Sequence, residues 1–454
     1  MANKNYQKSN IFYIASFIFL INAIFLLVCY KYGFQRPVIN IDYLLLILFF
    51  YKRNFIGNTL LFIFLSLFLF IEQLLIVLQV FPFIQLNNLF YLSSFIFSGP
   101  ALYQVLFFSS IIFILTSFFI VRDFFGKRIN INKNHIWASL FIFTAIATTW
   151  SFVPQKIITS QTIFFIKNSQ SNLLTITNKK PIEDLTTEYA GRPLYDSVLN
   201  QQPISDKILF VVSESWGETA RPNQQQAILK PIYDKKDKLQ FIEQGSFPFV
   251  GATVMGEFRE LCKKKLMVMD SKNIPPHEFE QCLPNLLKQQ GYTTHSIYGA
   301  DDRLYSPNYW YPLAGLDNRH FVDDLPNGGQ CMSFDGRCDV QLLPYVKNAL
   351  QSSDKSFVYW LTLNSHAPYD DKIFIDGIDC QSVGLKDSTQ SCNNYRLHYQ
   401  FFHTLSQLID DENMKGLEVY VVGDHAPPLT NLKEGLTAFK GVDVAWLHFK
   451  IKEN

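Results

Sequence analysis

The stretch LEVYVVGDHAPP, residues 417–428, contains a short apolar run that stops at a cluster of polar side chains. The run LEVYVV is rich in β-branched and aromatic residues, which is typical of a buried strand. Gly423, Asp424 and His425 follow it directly. The pattern therefore predicts a strand whose carboxyl end presents a carboxylate and an imidazole.

Runs of the same kind recur through the second half of the chain, and helical patterns lie between them. Glu278 to Gln290, closed by Gly291, and Tyr395 to Ile409 are the predicted helices. Buried strands that alternate with helices favour a largely parallel sheet in an α/β sandwich. The other predicted strands are KILFVV (207–212), THSIYG (294–299), FVYWLTL (357–363) and VAWLHFKI (444–451).

Polar residues follow three more of these strands. Ser213-Glu214-Ser215 follows the first, Tyr298 to Arg303 follows the second, and Asn364-Ser365-His366 follows the third. Ligands of such folds gather beyond the carboxyl ends of the strands. A divalent ion uses carboxylate and imidazole groups from separate elements and keeps a position for a reacting oxygen. The sequence therefore predicts a metal site at this edge of the sheet.

Charge divides the chain into two parts. Residues 1–154 carry ten Lys/Arg and three Asp/Glu, whereas the remainder carries 30 basic and 36 acidic residues. Phe55 to Phe81 holds one charge in 27 residues, which excludes a single soluble globule. The acidic second part disfavours nucleic-acid binding, and 16% aromatic residues disfavour disorder.

The first part predicts a membrane domain of about five spans. Four stretches reach the length needed to cross the hydrocarbon core, and a fifth, Val38 to Tyr51, has only 14 residues and is either a thin span or an interfacial piece. With five spans and a cytoplasmic N-terminus, eight basic residues lie inside and two outside, which places the second part outside the cytoplasm. The four long stretches are Asn10 to Tyr30, Phe55 to Phe81, Ala101 to Val121 and His135 to Val153.

Glu72 lies within Phe55 to Phe81, which is the third of the five spans in chain order. A charged side chain there costs roughly 2.5–3.5 kcal/mol on insertion scales, which makes the residue a site candidate. The alternative is a glutamate that is protonated or paired with another helix near a membrane face. No residue nearby in the sequence identifies a partner.

Six of the seven cysteines lie in the second part of the chain. Their order along the chain favours the pairs 262 with 282, 331 with 338 and 380 with 392, and none has the C-x-x-C spacing of a zinc knuckle. Disulfides imply an oxidising compartment such as a periplasm. Residues 155–206 are polar and predict a connecting region, so the expected divisions are 1–154, 155–206 and 207–454.

The order of VVSES, the Gly251 to Thr253 segment within GATVMGEFREL, LTLNSHAPY and VVGDHAPP resembles the alkaline phosphatase and sulfatase superfamily. The closest resemblance is to its membrane-anchored phosphotransferases: lipoteichoic acid synthases, phosphoglycerol transferases and lipid A phosphoethanolamine transferases. It covers about residues 205–451. It implies a sulfatase-like sandwich fold.

The resemblance also implies roles for particular residues. Glu214, Asp424 and His425 correspond to metal ligands, Thr253 to the metal-bound nucleophile, and His366 to a histidine that steadies the transferred phosphate. Arg303 matches only loosely an arginine that binds substrate. The cofactor expected is one divalent ion, Zn²⁺ or Mn²⁺.

Some features leave alternatives open. Glu218, within Gly217 to Arg221, also resembles a glutamate ligand of phosphoethanolamine transferases, although Glu214 follows the strand more directly. Lys263 to Lys265 could contact anionic lipid head groups or form a solvated basic turn. The Cys/Ser-x-Pro-x-Arg sequence of sulfatases proper is absent, which disfavours cleavage of sulfate esters.

Together these features predict an enzyme of the inner membrane with its catalytic domain in the periplasm. Thr253 is expected to take phosphoethanolamine or phosphoglycerol from a phospholipid and pass it to an envelope glycan or lipopolysaccharide. A membrane-tethered phosphodiesterase or phosphatase is the competing enzyme hypothesis. A non-catalytic envelope scaffold is the third.

Overall fold

The computed structural model describes residues 2–50, 54–82, 84, 91, 97, 101–125, 133–148, 157–167, 180–325, 331, 336–369 and 373–453. The chain forms two compact units. The first, the membrane unit, comprises residues 1–81, 101–178 and 430–432. The second contains the predicted catalytic domain, is named the catalytic unit for that reason, and comprises residues 82–100, 179–429 and 433–454.

Long apolar helices make up most of the described part of the membrane unit. Within that part, three are long and apolar enough to cross a membrane: Phe12–Tyr32, Phe55–Val80 and Ala101–Phe125. Two short strands pair in parallel beside them. The elements in chain order are α1 (Ala2–Tyr32), β1 (Ile39–Asn40), α2 (Asp42–Leu45), a 3₁₀ turn (Leu46–Phe50), α3 (Phe55–Val80), α4 (Ala101–Ile120), α5 (Lys133–Thr148) and β2 (Ile158–Thr159).

These helices confirm three of the predicted spans. The predicted span His135 to Val153 overlaps α5, which has 16 residues, and residues 149–156 lie outside the described residues. Within Val38 to Tyr51, residues 39–50 form β1, α2 and a 3₁₀ turn rather than one continuous helix, and Tyr51 lies outside the described residues. The α2 and 3₁₀ segments together rise only about 16 Å, which is about half of a hydrocarbon core. The count of five spans stays a prediction.

Glu72 has the partner that the sequence did not identify. Its carboxylate accepts hydrogen bonds from Arg36 Nε at 2.9 Å and Nη2 at 2.7 Å, and from Asn40 Nδ2 at 2.9 Å. The Arg36 and Glu72 side chains are 2% and 1% exposed. A buried bidentate pair of this kind satisfies both charges, so Glu72 holds the loop after α1 against α3.

An eight-stranded sheet forms the centre of the catalytic unit. Its strands are β4 (Lys207–Ser213), β5 (Gly217–Thr219), β6 (Leu239–Pro248), β8 (Thr293–Tyr298), β9 (Asn318–His320), β10 (Ser356–Leu361), β11 (Glu418–Gly423) and β12 (Phe439–Ile451), while β3 (Ile182–Asp184) and β7 (Lys264–Leu266) pair separately. The helices are α6 (Arg192–Leu199), α7 (Pro222–Tyr233), α8 (Thr253–Cys262), α9 (Leu283–Gln289), α10 (Pro307–Ala314), α11 (Asp339–Leu350), α12 (Gln390–Ser406) and α13 (Leu432–Ala438).

The sheet is mixed, and its parallel part lies in the middle. The strand order is β5-β12-β11-β4-β10-β8-β9, with β6 also paired to β12. Strands β11, β4, β10, β8 and β9 are parallel, whereas β12 runs antiparallel to its three neighbours. Every residue of β10 is buried, which explains its continuous apolar sequence. The prediction of an α/β domain built on a largely parallel sheet is confirmed.

Two predicted segments differ from the structure. Glu278 to Gln290 is not one helix but a 3₁₀ turn (Pro276–Phe279) followed by α9, because Pro284 favours a helix start and disfavours helical backbone just before it. Part of the predicted connecting region is structured: β3 pairs with β7, and α6 places Tyr195 so that its hydroxyl donates to the carbonyl oxygen of Leu261 at 2.7 Å.

Three disulfides join Cys262 to Cys282, Cys331 to Cys338 and Cys380 to Cys392. They confirm the predicted pairing. Cys29, in the membrane unit, is free and buried.

Candidate metal centre and nucleophile

Glu214, Asp424 and His425 meet at the carboxyl ends of two neighbouring strands. Gly423 of β11 pairs with Ser213 of β4, so the residues that follow them lie side by side. His425 Nε2 is 3.5 Å from Glu214 Oε1 and 3.4 Å from Asp424 Oδ2. All three residues are buried, and one ligand atom from each lies within 4.8 Å of the others.

The hydrogen bonds of these side chains orient them towards a common point. Asp424 Oδ1 accepts from the backbone N–H groups of Ser215 at 2.7 Å and His425 at 2.6 Å. Asp424 Oδ2 is buried and has no hydrogen-bond partner among the described residues. His425 Nδ1 donates to the carbonyl oxygen of Ala426 at 3.0 Å, which leaves the lone pair on Nε2, the nitrogen that faces the two carboxylates.

This donor set fits a divalent cation. Burial and the neighbouring Asp424 carboxylate raise the pKa of Glu214 well above its ordinary value. Two buried carboxylates repel each other strongly, and a cation between them would remove that repulsion. Two carboxylates and one imidazole suit Zn²⁺ and also Mn²⁺. Asp424 Oδ2, which is buried and accepts no hydrogen bond from any described residue, is the atom that such an ion would satisfy.

Thr253 lies at the first position of α8, beside this group. Its Oγ1 donates to Glu214 Oε2 at 3.2 Å, and the residue is 9% exposed. Unpaired N–H groups and the helix dipole favour an anion at a helix N-terminus. A hydroxyl is therefore held next to the candidate ligands where the backbone favours a phosphate.

His366 follows β10, the other neighbour of β4. Ser365 Oγ donates to the carbonyl oxygen of Glu214 at 2.6 Å, which ties the His366 segment to the candidate ligands. Burial lowers the pKa of His366 to about 4, and nearby His425 acts in the same direction. The imidazole is therefore neutral at neutral pH.

The remaining candidates lie elsewhere. Glu218 is on the edge strand β5, outside the Glu214–Asp424–His425 group, and its pKa is raised by burial. Arg303 is exposed and forms an ion pair with Asp301, two residues away. Lys264 lies in β7 and pairs with Asp184 at 2.9 Å and with Glu278 at 2.8 Å. Both interpretations of Lys263 to Lys265, lipid contact and a solvated basic turn, stay predictions.

Several residues that support the site were missed from the sequence. Asp339 starts α11, and its buried carboxylate accepts from the backbone N–H groups of Leu363 and Asn364. Arg259 is 1% exposed and donates to the carbonyl oxygens of Gly423 at 2.7 Å and Asp424 at 3.2 Å. These contacts are tertiary, and no local pattern signals them.

Residues 254–443 match the family model described as Sulfatase. Over these residues the match confirms the predicted resemblance to the alkaline phosphatase and sulfatase superfamily. No curated protein sequence matches the chain.

Solved structures that are similar to this chain include one named as a synthase and two named as transferases. The lipoteichoic acid synthase LtaP from Listeria monocytogenes is 18% identical, with 55% of this chain and 67% of that chain covered and a TM-score of 0.42. The phosphoethanolamine transferase EptA from Neisseria meningitidis is 12% identical, with 88% and 78% covered and a TM-score of 0.43. The phosphoglycerol transferase GacH from Streptococcus pyogenes is 14% identical, with 59% and 78% covered and a TM-score of 0.40.

Proposed function

We propose that this protein transfers the phosphate-bearing head group of a phospholipid to a cell-envelope glycan through a phosphothreonine at Thr253. The observation that carries the proposal is the hydrogen bond from Thr253 Oγ1 to Glu214 Oε2, within a buried group that also contains Asp424 and His425. A threonine hydroxyl is a weak nucleophile unless its environment activates it.

In the first step, Thr253 Oγ1 forms a bond to phosphorus while the bond from phosphorus to the diacylglycerol oxygen breaks. The Thr253 hydroxyl gives its proton to Glu214 Oε2, to which it donates a hydrogen bond. The departing diacylglycerol oxygen gains a proton. The N-terminus of α8 stabilises the negative phosphoryl group. His366 lies next to the site, and Nδ1 of its neutral ring donates to the carbonyl oxygen of Ala367, so its Nε2 carries a lone pair and accepts a hydrogen bond from a hydroxyl of the transferred group.

Glu214, Asp424 and His425 would hold the divalent ion. When bound, a Zn²⁺ or Mn²⁺ ion lowers the pKa of a nearby hydroxyl and offsets charge on the phosphoryl oxygens. In the second step, an acceptor hydroxyl attacks phosphorus and the bond to Thr253 Oγ1 breaks. Phosphoethanolamine or phosphoglycerol then remains on the acceptor, and Thr253 regains its proton.

The membrane unit supports a lipid donor, because an anchored enzyme works where its substrate lies. The three disulfides of the catalytic unit support an oxidising compartment, and so an enzyme of the inner membrane that faces the periplasm. In that compartment the acceptor is a glycan or lipopolysaccharide. The missing Cys/Ser-x-Pro-x-Arg sequence argues against sulfate-ester cleavage despite the family name.

The test uses the full chain in detergent with Zn²⁺ and vesicles that contain phosphatidylethanolamine or phosphatidylglycerol. We expect release of diacylglycerol and a head-group adduct on the peptide that contains Thr253, detected by mass spectrometry. The Thr253→Ala protein is the control. Diacylglycerol release accompanied only by free head-group phosphate in the presence of glycan would favour the hydrolase. If neither lipid yielded diacylglycerol or a head-group product, both enzyme hypotheses would be wrong and the scaffold hypothesis would be favoured.

A further inference from the structure

Ser215 has an unusual backbone conformation directly beside the candidate metal ligands. Its φ is +54°, in the left-handed region, where glycine and asparagine are the common residues. It is fully buried, and it lies between Glu214 and the following Trp216 at the end of β4. Strained positions of this kind persist only where the surrounding contacts require them.

The contacts of Ser215 explain the conformation. Its backbone N–H donates to Asp424 Oδ1 at 2.7 Å, and its Oγ donates to Glu214 Oε1 at 2.9 Å. One residue therefore orients carboxylates that follow two different strands. An extended backbone at Ser215 would direct its N–H and its side chain differently, so the left-handed turn is what allows both bonds.

The carbonyl group of Ser215 is anchored from the opposite side by α12. It accepts from Asn394 Nδ2 at 3.1 Å and from His398 Nε2 at 3.1 Å. These donors are four residues apart on one face of the helix, and both are fully buried. Because a carbonyl oxygen only accepts, Nε2 of His398 carries the proton. Burial lowers the pKa of His398 to about 4, so the ring stays neutral.

We propose that Ser215 is a positioning residue that sets the spacing of Glu214 and Asp424 for the divalent ion, and that Asn394 and His398 hold it in place. The inference deepens the proposed function and rests on its metal site. Groups that orient metal ligands commonly contribute 10–100-fold to metal affinity.

The chain offers a matched control in Ser213. It is also buried and lies two residues before Ser215, but its hydroxyl has no hydrogen-bond partner among the described residues. Ser213→Ala therefore removes a buried hydroxyl from the same strand end without removing a bond to a ligand. Its Zn²⁺ affinity should equal that of the wild type.

The experiment measures the Zn²⁺ dissociation constant of the full chain in detergent by competition with a chromogenic chelator. Ser215→Ala should weaken binding about 10–100-fold. Ser215→Gly removes the same hydroxyl but suits a positive φ, so it should lose similar affinity while the melting temperature of the metal-free protein stays at or above that of Ser215→Ala. His398→Phe, which removes one anchor, should also weaken binding.

The outcomes separate this inference from the proposed function. A wild-type protein that binds no Zn²⁺ would overturn both the metal site and the role of Ser215. Wild-type binding together with unchanged affinity in folded Ser215→Ala and Ser215→Gly proteins would overturn the role of Ser215 alone. Equal losses in Ser213→Ala and Ser215→Ala would also overturn it, because the effect would then not depend on the bond to Glu214.

Discussion

Gly256 packs directly against the main chain of Asp424. A Cβ atom at Gly256 would lie 2.8 Å from the Asp424 carbonyl oxygen and 2.9 Å from its Cα. Helix α8 can therefore approach the end of β11 only because this position has no side chain. Thr253, the proposed nucleophile, lies three residues earlier on the same helix, so the close approach also sets where its hydroxyl lies relative to Glu214.

Gly256→Ala should therefore displace α8 and weaken the site. The added methyl group meets backbone atoms, which cannot rotate away, so the helix must move. We expect at least a tenfold loss of head-group transfer, measured as diacylglycerol release from vesicles. Gly435→Ala in α13 is the control, because its Cβ would make an ordinary 3.4 Å contact with a Leu429 side-chain atom. Equal activity in the two variants would contradict the packing argument.

Arg259 should be important for stability as well as for the site. Its guanidinium donates to two carbonyl oxygens at the end of β11, and its Nε pairs with Glu260 at 2.6 Å. Arg259→Met would leave the Glu260 carboxylate buried without its counter-charge, which typically costs about 3–5 kcal/mol. We expect a clear fall in the melting temperature of the metal-free protein.

The double variant Arg259→Met, Glu260→Gln tests the cause of that fall. Replacing both charges should restore part of the melting temperature, because no unpaired charge remains buried. The restoration should be incomplete, since the bonds to Gly423 and Asp424 are still missing. If the double variant melts below the single variant, the loss does not come from an unpaired carboxylate.

The sequence predicted where the candidate site residues lie because the strands and the residues that follow them are local features. Residues 419–422 before Gly423 and Asp424 are apolar or aromatic, and every position of β11 after Glu418 is buried. The sequence favoured Glu214 over Glu218 as the metal ligand only because Glu214 follows the strand directly, since both glutamates lie close after β4. Pairing of Gly423 with Ser213 brings Glu214, rather than Glu218, beside Asp424.

Contacts between distant segments were beyond the reach of sequence patterns. The left-handed turn at Ser215 depends on α12, about 180 residues further along the chain. Nothing in the local sequence of Asp339 indicates that it binds the backbone after β10. Hydrophobic periodicity reports which face of an element is buried, but not which polar groups meet across elements.

The glutamates provide a direct test of the ligand assignment. Glu214→Ala should abolish Zn²⁺ binding, because it removes one of the three buried side-chain ligands. Glu218→Ala should retain the ion, because Glu218 lies outside that group. Metal content of the purified full chain, determined by elemental analysis, measures both. Loss of metal in Glu218→Ala with retention in Glu214→Ala would reverse the assignment.

Glu418 should make the catalytic unit sensitive to acid. Burial raises the pKa of its carboxyl, but hydrogen bonds from His448, Tyr420 and Ser205 outweigh burial and hold the pKa at about 2. Because the folded pKa is below the ordinary value of 4.5, this stabilisation is complete above about pH 4.5 and disappears as the pH falls towards about 2. The melting temperature of the wild type should drop across that window. Glu418→Gln should start lower and drop less, and parallel curves for the two proteins would contradict the linkage.

Thr253 is the residue on which the proposed chemistry depends. Thr253→Ala should keep the ion, because Glu214, Asp424 and His425 remain, and should stop covalent transfer. Thr253→Ser keeps a hydroxyl at the N-terminus of α8 and should retain partial activity, reduced because serine has more rotamer freedom than a β-branched side chain. Metal content, diacylglycerol release and the adduct on the Thr253 peptide distinguish the three proteins. A Thr253→Ala protein that cleaves a phospholipid donor at the wild-type rate would rule out the phosphothreonine mechanism.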